Sequence, residues 1–128
     1  MNIPLSSPDI TEAEIAAVTA VLRTSRLSLG QRLDAFERAF ADYINTQHAI
    51  AVSSGTAALH LCIRALNIGE GDEVIVPSFT FIATTEGVAL LKLKPVFVDV
   101  VPKTFGLYPV ALEKAIAPKT RAIIPVHL

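Results

Sequence analysis

The sequence predicts an α/β fold, a mostly parallel sheet with flanking helices, and three observations predict it. Short apolar runs recur at 49–52 (AIAV), 73–77 (EVIVP), 96–100 (VFVDV) and 121–126 (RAIIPV). Helix-length segments separate them, over 56–67, 80–92 and 109–117. Strands alternating with helices of this length mean crossover connections and parallel pairing. The runs are continuously apolar rather than alternating, which marks strands covered on both faces. The composition is the third observation: 52% of the 128 residues are hydrophobic and 18% are charged. A free-standing domain of this size exposes a large surface that polar groups must help to cover. The apolar excess is therefore expected of a piece of a larger core.

Two helices are expected before the sheet begins. Thr11 and Glu14 make a T-x-x-E capping box, in which hydroxyl and carboxylate satisfy free amides at a helix start. Ile15, Val18 and Leu22 then fall on one face. The segment RTSRLSLG interrupts the pattern, and a second helix follows with Leu33, Phe36, Phe40 and Ile44 on one side. Residues 1–47 thus read as a helical segment, and 48–128 as an α/β domain. Within the latter, Asn67, Gly69 and Gly71 end the first helix, and Pro109 suits the first position of the last one. The chain stops at VHL directly after an apolar strand, so the α/β domain is expected to be incomplete.

Composition also narrows the function classes. A net charge of -1 with mixed signs disfavours nucleic acid or an anionic membrane as the main partner. No run reaches the ~18 apolar residues of a membrane span. The start, MNIPLSSPDITEAE, lacks the basic-then-apolar order of a signal peptide. One cysteine, Cys62, cannot form an internal disulfide, which fits the cytoplasm. There is no Cys/His cluster at metal spacing and no G-x-S-x-G turn.

The stretch SSGTAALH (53–60) joins a predicted strand to a predicted helix. Free amides at the positive end of a helix dipole attract an anion, and the Ser54 and Thr56 hydroxyls add donors. Gly55 is alone, so neither the Walker pattern nor G-x-G-x-x-G is present; a single phosphate is the ligand that remains. A capped turn without a ligand explains the same residues. The loop Ser78-Phe79-Thr80-Phe81 follows the strand 73–77, and ligands of open α/β sheets sit outside carboxyl strand ends. An aromatic ring there can stack on a planar cofactor, Ser78 or Thr80 can cap the next helix, or Phe79 and Phe81 are plain core. Asp99 and His127 stand at strand ends, and either could face the same crevice. Asp99 equally suits a cap or turn before Pro102, and His127 a hydrogen-bonded structural histidine. His60 and Arg64 read as a polar outer helix face, and Cys62 as buried and inert. The five lysines, 92, 94, 103, 114 and 119, fall in turns or on exposed helix positions.

Taken together, SSGTAALHL, GDEVIVPSFTFIATTEGV, KPVFVDV and RAIIPVHL, with SLGQRLDAFERAFADY before them, resemble the DegT/DnrJ/StrS-type sugar aminotransferases over essentially the whole chain. The resemblance implies the N-terminal part of the large domain of a fold type I, aspartate-aminotransferase-type enzyme that uses pyridoxal 5'-phosphate (PLP). It implies that Ser54, Gly55, Thr56 and Ala57 hold the cofactor phosphate and that Phe81 stacks on its ring. It also implies a Schiff-base lysine beyond Leu128, so that no catalytic residue and no metal site is assigned within the chain. Tyr108 stands where relatives have a better helix cap. The implied reaction transfers an amino group, usually from glutamate, to a nucleotide-linked keto-sugar in polysaccharide or antibiotic sugar biosynthesis, in a homodimer. A sugar dehydratase of the same family and a truncated non-catalytic product are the alternatives.

Overall fold

The structure is a computed structural model, and it describes residues 6–128. Contacts divide the chain into two compact units, Met1–Ala51 and Val52–Leu128.

The first unit holds helices α1 (Glu12–Leu22) and α2 (Gln31–Tyr43). The capping box of α1 forms as its sequence dictates. The Ala13 amide donates to the Thr11 hydroxyl oxygen at 3.2 Å, and the Thr11 amide donates to Glu14 Oε2 at 2.7 Å. The Thr11 hydroxyl also donates to that carboxylate. These bonds hold the Glu14 carboxyl below its usual range, the side-chain bond from Thr11 first and the backbone bond second. Because the folded value is lowered, the carboxylate supports α1 at neutral pH, and this support is lost as pH falls through the lowered value. Far-UV circular dichroism is expected to show acid fraying of α1 that Glu14→Gln flattens; identical acid profiles would refute this. The apolar stripe of α1 is formed but not covered: Ile15, Val18 and Leu22 are all exposed. In α2 the rings of Phe36 and Phe40 meet at 5.9 Å, and the Ala51 amide donates to Glu37 Oε1 at 2.8 Å.

The second unit runs α3 (Gly55–Ala65), β1 (Glu73–Pro77), α4 (Ala83–Leu90), β2 (Lys94–Val98), α5 (Pro109–Ala115) and β3 (Thr120–Ile123). Both pairings are parallel, in the order β2-β1-β3, with Ile75 opposite Val96 on one side and Ile123 on the other. β1 is central, and Val74, Ile75 and Val76 are wholly buried, which is why its sequence is apolar without alternation. Val74 and Val76 join Ile63 of α3, Val88 of α4 and Leu93 in the core, and Ala122 and Ile124 pack against it. Asn67 and Lys92, at φ +53° and +56°, take the left-handed conformation that ends α3 and α4. Glu73 and Lys94, partners in register at the amino edge, form an ion pair at 2.9 Å.

One expected strand is absent. Residues 49–52 pair with no strand among the described residues. A continuous apolar run becomes a strand only where another backbone meets its amides and carbonyls, and the amide of Ala51 is instead taken by a side chain. The caps expected for α4 also differ. Neither Ser78 nor Thr80 caps it; its N-cap is Ile82 with no side-chain bond, while Thr80 Oγ1 lies 2.9 Å from Oγ1 of the buried Thr84. Tyr108 caps α5 with no side-chain bond.

Candidate functional site

Ser54 is extended (φ -163°) and its Oγ accepts from the Ala57 amide at 3.1 Å, capping α3. The Ala58 amide bonds the Ser54 carbonyl at 3.0 Å. Of the amides at this helix start, those of Gly55 and Thr56 have no intrahelical acceptor by helix geometry, so they supply the positive end of the dipole. The cap hydroxyl occupies the amide of Ala57. Gly55 has no positive φ, and a Cβ built on it meets nothing within 4 Å. Nothing in the chain's own packing therefore requires glycine there. Its absent side chain leaves room for a ligand to approach the backbone.

Gly55 and Thr56 border an open groove of about 780 Å³ together with Phe79, Phe81, Val126 and Leu128. β1 ends at Pro77, just before the two phenylalanines, and β3 ends at Ile123, just before Val126. The groove thus lies at the carboxyl edge of a parallel sheet, where crossover folds bind ligands. Its lining is mostly apolar, which suits a planar ring held at one end by its phosphate. Phe81 is 75% exposed and Phe79 57%, so neither is core. Ser54 and Ala57 are near the groove in sequence but do not line it.

Two side chains stand otherwise than expected. Cys62 is exposed and lines the groove, because it follows Gly55 and Leu59 on one face of α3. That i, i+4, i+7 spacing was the signal that could have placed both Leu59 and Cys62 here. His60 is not on an outer face. It is half-buried with Nε2 enclosed and unpartnered, and its backbone lies against Gly87 of α4. Arg64 is exposed as expected. The Asp99 carboxylate accepts from the next amide, of Val100, at 2.8 Å, and His127 is exposed. Among the described residues no group of three or more His, Cys, Asp or Glu could hold a metal ion, and no helix is long and apolar enough to cross a membrane.

This fold is that of the PLP-dependent, fold type I aminotransferases, of which the chain covers the N-terminal third. The chain belongs to the DegT/DnrJ/EryC1/StrS aminotransferase family, whose model matches residues 8–128. Among solved structures it is similar to Spr1654 of Streptococcus pneumoniae, described as a sugar aminotransferase and solved in its PMP form, with 42% identity and a TM-score of 0.89 over 98% of this chain and 32% of that one. The same protein has been solved in a PLP form. It is similar to DesV of S. venezuelae at 48% identity and a TM-score of 0.83, over 91% of this chain and 32% of that one. It is similar, at 30% identity and a TM-score of 0.90, to a GDP-4-keto-6-deoxymannose-3-dehydratase, over 97% of this chain and 34% of that one. The chain thus spans about a third of the length of these relatives.

Proposed function

We propose that this chain is the N-terminal, cofactor-holding part of a PLP-dependent enzyme that transfers an amino group, from glutamate, to a nucleotide-linked keto-sugar. One observation carries the reading: the unpaired helix-start amides and an exposed aromatic ring border the same groove at the carboxyl edge of the sheet. In this reading residues 48–128 are part of the PLP-binding large domain, residues 1–47 a helical segment before it, and the whole enzyme a cytoplasmic homodimer. The relative described as a sugar aminotransferase, at 42% identity, supports amination over the dehydration named for the relative at 30%.

The residues present fit the cofactor. The Gly55 and Thr56 amides bind its phosphate, with the Thr56 hydroxyl as a further donor and Ser54 keeping the turn in shape through Ala57. The open space at Gly55 admits the phosphate close to the backbone. Phe81 offers a flat face to the ring, and the apolar groove wall of Leu59 and Val126 excludes water from it. When bound, PLP supplies the conjugated ring that takes up electrons during amino transfer.

The test is PLP binding to the chain by equilibrium dialysis, with inorganic phosphate as competitor. Weak binding that phosphate displaces is expected. Phe81→Ala is expected to weaken it about fivefold, the loss of roughly 1 kcal/mol of stacking. Gly55→Ala should weaken it while leaving the fold intact, since the new methyl meets open space. Binding that is indifferent to phosphate and to both substitutions would remove the basis for this assignment.

A further inference from the structure

We propose that Phe105 is a positioning residue: its ring, set against Phe79, holds the loop 78–82 in the place where Phe81 meets the cofactor ring. The inference rests on the reading of Phe81 given above.

After β2 the chain closes into a self-contained loop. The Tyr108 amide donates to the Asp99 carbonyl at 2.9 Å, the Val101 amide to the Gly106 carbonyl at 2.9 Å, and the Phe105 amide to the Val101 carbonyl at 2.8 Å. Val100 and Leu107 form an antiparallel bridge between these bonds. The loop therefore has a fixed shape of its own, stapled to the end of β2. Within it Phe105 sits at φ +55°, a region that bulky residues rarely adopt and glycine enters freely. Backbone geometry gives no reason for phenylalanine here. Its ring does: the centroid lies 5.3 Å from that of Phe79, at an interplanar angle of 35°. This is the only aromatic pair of the second unit among the described residues.

Phe79 belongs to the segment that carries Phe81. That segment is tied to the sheet at its start, where the Ser78 amide donates to the Val98 carbonyl at 2.9 Å, and at its end by the first turn of α4. Between these ties Thr80 Oγ1 lies 2.9 Å from Oγ1 of Thr84 in the adjoining helix, while Phe79 and Phe81 are both largely exposed. The contact with Phe105 is thus the restraint that reaches these rings from a segment distant in the chain. A loop already fixed before the ligand arrives loses less freedom on binding. Phe105 does not line the groove, so it acts through Phe79.

Chymotrypsin cleavage of the 128-residue chain, mapped by mass spectrometry, reads this restraint with no cofactor present. Cleavage after Phe81 reports local opening of the loop, and cleavage after Phe97, which lies within paired strand β2, reports opening of the sheet. Phe105→Gly removes the ring and relaxes the backbone, so it does not strain the fold. It is expected to raise cleavage after Phe81 about two- to tenfold, the range an aromatic pair sets, with cleavage after Phe97 unchanged. Phe105→Tyr should keep the original rate, and adding Phe79→Ala to Phe105→Gly should add nothing further. PLP affinity should fall by a similar factor in Phe105→Gly and recover in Phe105→Tyr. Equal rises after Phe81 and Phe97 would make Phe105 a residue of the fold and overturn the proposal. So would an unchanged rate in Phe105→Gly, or no rescue by tyrosine. If the cleavage rates change as expected while the unsubstituted chain binds no PLP, the assignment of the groove fails and the restraint of the loop by Phe105 stands.

Discussion

Incubated with PLP and reduced with borohydride, the 128-residue chain is expected to carry no stoichiometric label on any lysine and to show no glutamate-dependent turnover. Amino transfer of this kind needs a lysine held at the cofactor and partly deprotonated, which requires a desolvated setting beside it. No lysine lines the groove. Lys94 opens β2 at the amino edge of the sheet, paired with Glu73, and Lys92 lies in the turn before it, 3.9 Å from Glu70. Both are at the far end of the strands from Gly55 and Phe81. Lys103 lies at the carboxyl side but in an exposed turn, and Lys114 and Lys119 are exposed at the end of α5 and beyond it. The expected effect is thus complete: binding without chemistry. A single stoichiometric label together with turnover would show that one of these lysines reaches the groove and would overturn the division of labour proposed above.

Replacing Gly87 by valine is expected to destabilise the chain by about 1–3 kcal/mol, the range of overpacking in a close-packed core. Gly87 lies in α4 where it crosses α3. A Cβ there would stand 3.2 Å from Ile63 Cδ1, 3.3 Å from His60 Cα and 3.4 Å from the His60 amide nitrogen. Ile63 is 3% exposed and belongs to the core cluster, so it has nowhere to retreat. The His60 atoms are backbone and move only with α3 as a whole. Helix propensity alone would favour alanine over glycine by about 0.5–1 kcal/mol, so Gly87→Ala sets that gain against the contact and should be nearly neutral. The two further methyl groups of valine leave no such balance. Urea denaturation measures the loss, and an unchanged midpoint in Gly87→Val would show that the crossing can open at no cost. Because α3 presents Gly55 and Thr56, the same substitution should weaken PLP binding, although residue 87 is not in the groove.

What the sequence by itself determined is local. Thr11 and Glu14 specify a helix start whatever follows, since every partner lies within three residues. Ser54 caps α3 for the same reason, and the continuous apolar run of β1 implies a strand buried on both faces. The SSGTA and SFTF stretches, each at a junction between elements, marked the helix-start turn and the aromatic loop that border the groove, and the linked motifs named the family.

Only the tertiary structure decided what depends on elements distant in the chain. The run AIAV is as apolar as β1, yet a strand exists only where a neighbour completes its hydrogen bonds, and none of the described strands does so for 49–52. Cys62 and His60 are two residues apart on one helix, so pattern alone could assign one to each face but not say which face was covered. The packing of α4 on α3 through Gly87 encloses His60 and leaves Cys62 open to the groove. The pairing of Phe79 with Phe105, separated by a helix and a strand, follows from parallel crossover topology: it carries successive strands in one direction and gathers the loops after them at one edge.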